Sequence, residues 1–215
     1  MISKNLEYLN ESRSLIEKAL EFEDYLLRRT LGLYYIGWGS AFFLFTFSGF
    51  FYQYISMYPW LLLLPYIAGS VIVMVFTANV FSKAARASNI MMRAKWKRYR
   101  TLTALSFLII LGILSGAALA GFYSYLVLLY AFLAVYVPWS IMNGLKKSMA
   151  RMHLETWAAI SSFVLACIVS ALSIVARDYL ILTIVWLAEA IAWFACGLAG
   201  IYNANYQSVI ITDDE

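Results

Sequence analysis

Six apolar stretches, each about 20 residues long, dominate this 215-residue sequence and leave little room for a water-soluble core. About 20 apolar residues in a helix cross the hydrocarbon core of a bilayer, which is about 30 Å thick. Hydrophobic residues make up 63% of the chain and charged residues 13%, whereas soluble domains are about half apolar and a quarter charged. The sequence therefore predicts an all-α integral membrane protein. A six-span membrane domain is predicted at residues 29–201, with spans at about 31–52, 60–82, 101–119, 123–144, 154–176 and 179–201.

Short links between these stretches arrange the six predicted spans as three hairpins. Residues 102–143 form one apolar block, long enough for two spans, and Gly116 and Gly121 are the natural place for it to turn. Gly112, Gly116 and Ala120 keep the small-xxx-small spacing that lets membrane helices approach closely. We therefore expect a close helix contact at span 3.

Lysine and arginine residues set the orientation of the chain. With six spans, all but one of the 16 lie in segments on the same side of the membrane, and only Arg177 lies opposite. Cytoplasmic segments carry the excess of these residues. We therefore expect a multi-pass protein of the cell membrane with both termini in the cytoplasm. The net charge of +4 is explained by this orientation, so no nucleic-acid partner is expected.

Residues 1–28 predict a cytoplasmic amphipathic helix whose exposed faces are mostly acidic. They are too polar for a cleavable signal peptide. Arg13 and Glu17 are spaced to pair on one helix face. The helix is either a solvated element lying at the membrane interface or a docking or coiled-coil helix. A short acidic cytoplasmic tail is predicted at 202–215. The apolar positions of the helix recur at a 4-3 spacing that Arg13 and Glu23 interrupt, and they are Ile2, Leu6, Leu9, Ile16, Leu20 and Leu27.

Residues 83–100, between spans 2 and 3, are rich in lysine and arginine and contain no acid, and they predict a basic cytoplasmic helix. An amphipathic helix of this kind places its aromatic side chains at the level of the lipid headgroups. Its basic stripe either contacts anionic lipid or docks onto an acidic surface, for which the helix at 1–28 is one candidate. The stripe consists of Lys83, Arg86, Arg93, Lys97 and Arg100.

Glu189 lies in the middle of span 6, in the sequence WLAEAIAWF. A charged side chain there costs about 2.5–3.5 kcal/mol on insertion scales. No lysine, arginine or histidine is expected at matching depth in another span. We therefore expect Glu189 to be protonated and hydrogen-bonded to another helix. It is either a proton- or cation-responsive group on a transport path or a protonated side chain that joins two helices.

Three asparagines lie near the cytoplasmic ends of spans 2, 4 and 6. They either cap helices and bond neighbouring helices, or line a polar cytoplasmic vestibule formed by three similar hairpins. These residues are Asn79, Asn143 and Asn203.

Catalytic motifs are absent from the sequence. It contains no phosphate-binding P-loop and no zinc-protease HExxH. Its single histidine, His153, is placed at the end of a span, so a Ser–His dyad inside the membrane is excluded. We therefore expect no enzymatic activity, no metal and no cofactor.

The overall plan resembles that of ABC-2-type export permeases in topology. Both have an amphipathic amino-terminal helix, six spans, both ends inside and a cytoplasmic helix between spans 2 and 3. In that family the cytoplasmic helix contacts an ATPase and two six-span subunits enclose the path. The resemblance implies an ATPase partner and a homo-oligomer. Re-entrant helices usually join spans 5 and 6 there, whereas this chain has only Arg177 and Asp178.

A second class of function is a non-transporting accessory, assembly or regulatory membrane subunit. The spans contain few polar residues, and a path for a hydrophilic solute normally has more. Both classes remain open at the level of the sequence, and transport is the first expectation.

Overall fold

The computed structural model of the chain describes residues 2–51, 68–69, 71, 75, 109, 112–113, 124–147 and 152–213. Nearly all of these residues are helical, and none of them is in a strand. Predicted spans 2 and 3 are described only at isolated positions, and the basic stretch at 83–100 and Asn79 lie outside the described residues. The helices of the longer described segments are α1 (Ile2–Phe51), α2 (Ser124–Lys147), α3 (Leu154–Ala176) and α4 (Tyr179–Asp213).

Three of these helices are long and apolar enough to cross a membrane, at Leu126–Asn143, Leu154–Ala176 and Leu180–Tyr206. Large apolar side chains on their outer faces are exposed, including Val135 and Leu180. Water would penalise each such side chain by about 1.5–3 kcal/mol, whereas lipid would not. The described part of the chain is therefore helical nearly throughout its long segments, and its three apolar helices indicate a multi-pass membrane protein. Three features remain predictions: that there are six spans, that they form three hairpins, and that both termini are cytoplasmic.

Helix α1 runs without interruption through the predicted membrane edge. It has 50 residues and, at 1.5 Å per residue, a length of about 75 Å. The amphipathic helix predicted at 1–28 and the span predicted at 31–52 are thus parts of one helix. No proline or glycine separates them, and the hydroxyl of Thr30 donates to the carbonyl of Leu26 at 2.6 Å within the helix. We call residues 2–27 the N-terminal arm.

Glycine residues hold α1 and α4 close together. A Cβ added to Gly32 would lie 2.8 Å from the carbonyl oxygen of Gly197, and one added to Gly39 would lie 3.2 Å from that of Ala190. As α1 proceeds from Gly32 to Gly39, its neighbours on α4 go backward, so the two helices are antiparallel. The N-terminal arm and the carboxyl end of α4 therefore extend toward the same end of the protein. Among the described residues, no atom lies within 4 Å of a Cβ added to Gly112. Gly116 and Ala120 lie outside the described residues, so the close contact expected at span 3 stays a prediction.

Helices α3 and α4 are joined by only two residues. Arg177 adopts the left-handed conformation with φ 58°, and its backbone N–H donates to the carbonyl of Ile174. Asp178 accepts hydrogen bonds from the backbone N–H groups of Leu180 and Ile181. This carboxylate satisfies amide groups that the start of α4 leaves without helical partners. The tight link makes α3 and α4 antiparallel neighbours.

Candidate functional site

Glu189 lies on the buried face of α4, one helical turn from Trp186 and one from Trp193. Only 3% of the residue is exposed, and both tryptophans are also buried. The buried positions of α4 follow the spacing of a helix packed on one side, which directs Glu189 toward α3 rather than toward lipid.

The hydrogen-bond partner of Glu189 is on another helix, as the sequence predicts. Its Oε1 atom lies 3.1 Å from the Oγ atom of Ser162 on α3. The same Oγ lies 3.1 Å from the carbonyl oxygen of Ala159. A hydroxyl has one hydrogen to donate and two lone pairs that accept. Ser162 therefore donates to Glu189 when the carboxyl is ionised, and it can accept from Glu189 while donating to Ala159 when the carboxyl is protonated.

Trp186 and Trp193, which flank Glu189 on α4, belong to an aromatic cluster to which α1, α2, α3 and α4 all contribute rings. Neighbouring ring centroids are 5.1–5.9 Å apart, within the range of favourable aromatic pairs. A buried aromatic cluster has a low dielectric constant, and Glu189 beside it is shielded from water. The hydrogen bond with Ser162 is therefore important, because a buried polar group without a partner is costly. The rings belong to Tyr35, Phe42 and Phe45 of α1, Tyr130 of α2, Phe163 of α3, and Trp186 and Trp193 of α4.

A second polar cluster joins the base of the N-terminal arm to the first turn of α3. The guanidinium Nε of Arg28 lies 2.6 Å from Oε1 of Glu155, and the two side chains are 13% and 7% exposed. Nε2 of His153 lies 3.2 Å from Oδ1 of Asp24. We call these two contacts the clasp.

Two further contacts fix the same region. The hydroxyl of Tyr35 on α1 donates to the hydroxyl of Thr156 on α3 at 3.1 Å, and both residues are buried. The backbone carbonyl of His153 accepts from the N–H groups of Thr156 and Trp157 and so closes the first turn of α3. Three side-chain contacts thus connect α1 to residues 153–156.

Sequence reasoning singled out Glu189 as a candidate but did not predict the clasp. Arg28 falls at the end of the helix predicted at 1–28, where a basic residue marks the membrane edge, and His153 is placed at the end of a span. Glu155 and Asp24 carried no signal, because their partners lie more than 100 positions away in the chain. A charge pattern within one helix, such as Arg13 with Glu17, is visible in the sequence, and that ion pair is present at 3.1 Å.

The other predicted site residues are only partly described. Asn143 on α2 and Asn203 on α4 are half-buried, and the structure shows no hydrogen bond between these two side chains. Asn79, the third member of the predicted vestibule, lies outside the described residues. So do the five residues of the predicted basic stripe, Lys83, Arg86, Arg93, Lys97 and Arg100. Their roles stay predictions.

Comparison of the chain with protein-family models, with curated proteins and with solved structures finds no match.

Proposed function

We propose that this protein is a permease-like membrane subunit of a transport system and that its N-terminal arm docks a cytoplasmic partner. The observation that carries the proposal is the arm itself. It extends about 40 Å beyond Arg28, since each helical residue adds 1.5 Å. It exposes large apolar side chains, and exposed apolar patches are typical of interaction sites. The exposed fractions are 62% for Leu15, 61% for Ile16, 59% for Leu20 and 54% for Phe22.

Continuity of α1 gives such docking a mechanical consequence. A helix without a break moves as one body, so a partner that moves the arm also moves the part of α1 packed on α4. At Gly32 and Gly39 the backbones of α1 and α4 are so close that α1 cannot shift toward α4 without moving it. In a transport system, an ATPase bound to the arm could use this connection to rearrange the membrane helices.

Glu189 is the proposed proton- or cation-responsive group of the transport cycle. Its contact with Ser162 provides a hydrogen bond in either protonation state of the carboxyl, as described above. A carboxyl that keeps a partner in both states can exchange a proton without leaving a buried polar group unpaired.

Affinity purification of the full-length protein from its native membrane tests the docking part of the proposal. We expect wild-type protein to recover an ATPase subunit. The double variant Ile16→Glu with Leu20→Glu should lose that subunit, because each charge is placed on the apolar side of the arm. Glu21→Gln is the matched control, since Glu21 is exposed and lies about 100° around the helix from Leu20, on the acidic side of the same segment. Recovery of no ATPase with wild-type protein contradicts the proposal.

A non-transporting accessory or regulatory subunit is the second candidate. It is favoured by the enclosure of Glu189, which is 3% exposed and lies on α4 between two buried tryptophans of the aromatic cluster. On this alternative the arm still docks a partner, but Glu189 only joins α3 to α4. Purification that recovers another copy of the chain or an enzyme complex, and no ATPase, supports the accessory role.

A further inference from the structure

The clasp and Glu189 are connected by a single face of α3. Glu155, at the clasp, and Ser162, at Glu189, are seven residues apart, which is two helical turns and about 10 Å along the axis. Seven residues bring a helix back to nearly the same direction, so both side chains lie on the inner face of α3. The residue between them, Ala159, is fully buried on that face.

Helix α3 is suited to transmit a displacement from one point to the other. Its sequence from Leu154 to Ala176 contains neither proline nor glycine, the residues that kink helices. Its first turn is held to α1 by the clasp and by the hydrogen bond between Tyr35 and Thr156. A shift of α1 at Arg28 therefore moves the start of α3 and not a flexible loop.

We propose that the clasp couples the position of the N-terminal arm to Glu189, with Ser162 as the residue that positions the carboxyl. When the clasp is closed, α3 holds Ser162 against Glu189. When the arm is displaced and the clasp opens, the hydrogen bond between Ser162 and Glu189 weakens and the carboxyl becomes reachable from the membrane. This deepens the proposed function, because it gives the docked partner a route to the intramembrane carboxyl.

Chemical labelling of Glu189 tests the coupling in full-length protein in lipid nanodiscs, without a partner. A membrane-permeant carbodiimide adds to a protonated carboxyl, and mass spectrometry of the peptide around Glu189 gives the rate. We expect Arg28→Gln and Asp24→Asn each to raise this rate about fivefold, which corresponds to about 1 kcal/mol of coupling. Arg13→Gln, which breaks an exposed ion pair on the same helix, should leave the rate unchanged. Glu189→Gln should give no adduct on this peptide.

A double-mutant cycle separates coupling from general loosening. Ser162→Ala should itself speed labelling, and adding Arg28→Gln to it should produce little further increase if the clasp acts through Ser162. If Arg28→Gln folds poorly, two other variants still test the coupling. The charge exchange of Arg28→Glu with Glu155→Arg is expected to return labelling to the wild-type rate. Asp24→Asn changes only the contact with His153, which is the more exposed half of the clasp.

Three results would overturn the coupling. One is wild-type labelling in both Asp24→Asn and Arg28→Gln. Another is acceleration by Arg13→Gln as large as that by Arg28→Gln. The third is full additivity between Arg28→Gln and Ser162→Ala. None of these labelling results depends on a partner protein. The coupling can therefore fail while affinity purification still supports docking. Equally, docking can fail while labelling still shows the coupling.

Discussion

Arg28 of α1 and Glu155 of α3 form an ion pair of 2.6 Å, although 127 positions separate them in the chain. Both side chains are largely buried. A buried ion pair adds little net stability, because the loss of hydration offsets the attraction, but removal of one partner leaves the other charge stranded. The pair therefore defines where α1 meets α3, and its effect should show most clearly when only one member is changed.

Arg28→Gln should destabilise the protein substantially. It leaves the carboxylate of Glu155, which is 7% exposed, without a counter-charge. Breaking a buried pair in this way costs about 3–5 kcal/mol. Thermal unfolding of the purified protein in detergent, followed by circular dichroism, should give a clearly lower unfolding temperature than wild type.

Arg13→Gln is the matched control for this experiment. It removes the same type of side chain from the same helix, but its ion pair with Glu17 is 80% and 61% exposed at the two side chains. Exposed pairs are worth less than about 1 kcal/mol. Equal shifts in the two variants would mean that the contact between Arg28 and Glu155 is not a buried pair in the membrane-bound protein.

Much of the helix pattern could be predicted because the apolar runs and their breaks are local. The predicted span at 154–176 coincides with α3, and the break falls at Arg177 and Asp178 in both. The continuity of α1 was missed because charge marks a membrane edge but does not end a helix. Arginine is compatible with a helix, so the backbone hydrogen bonds of α1 continue through Arg28 whether the helix there is in water or in the membrane.

Contacts between helices could not be predicted in the same way. The sequence shows the small-residue spacing at Gly112, Gly116 and Ala120, a region that lies mostly outside the described residues, whereas the close approach that the structure describes lies at Gly32 and Gly197. The spacing of small residues in the sequence shows that a helix has a face that allows close approach. It does not show which helix packs against that face. The same reason hides the clasp, since Glu155 has no partner in its own part of the sequence.

Gly197→Ala should weaken the packing of α1 on α4. The added Cβ would lie 2.6 Å from Cγ1 of Ile36 and 2.7 Å from the carbonyl oxygen of Gly32. The backbone atom cannot move away without a shift of α1, so we expect a loss of about 1–3 kcal/mol, as for other overpacked interiors. Unfolding temperature in detergent is the measurement.

Gly112→Ala is the control for this variant. A Cβ there meets no atom of the described residues within 4 Å, and alanine is favoured over glycine in a helix by up to about 1 kcal/mol. The control should therefore be neutral or slightly more stable than wild type. If Gly197→Ala is equally well tolerated, the close contact between α1 and α4 does not hold in the membrane.

Cysteine labelling should place the N-terminal arm and the α3–α4 link on opposite sides of the membrane. The antiparallel packing of α1 on α4 puts Leu15 and Arg177 at opposite ends of the protein. In a background with Cys167→Ala and Cys196→Ala, we expect Arg177→Cys to react with a membrane-impermeant maleimide in intact cells. Leu15→Cys should react only after the cells are permeabilised, because the predicted orientation places the arm in the cytoplasm. The reverse pattern would show that the chain is inverted, and labelling of both in intact cells would contradict the antiparallel arrangement.

Glu189→Gln should preserve the fold, while Glu189→Leu should not preserve the contact with α3. The amide of glutamine can accept from Ser162 or donate to it, as the carboxyl does in its two protonation states. Leucine removes that hydrogen bond, which is worth about 0.6–2 kcal/mol between membrane helices. Unfolding temperatures should therefore fall in the order wild type, Glu189→Gln and then Glu189→Leu, with the larger step at leucine.

Glu189→Gln also decides between the two roles of this residue. Glutamine cannot gain or lose a proton at neutral or mildly acidic pH. If Glu189 is proton-responsive, the variant should therefore lose the pH dependence of activity. The measurement is transport in reconstituted vesicles or the growth phenotype of a deletion strain. Wild-type protein measured across the same pH range is the reference. If the variant retains wild-type activity and the same pH profile, Glu189 acts only by joining α3 to α4, and the enclosed packing around it is then explained as helix association rather than as part of a path.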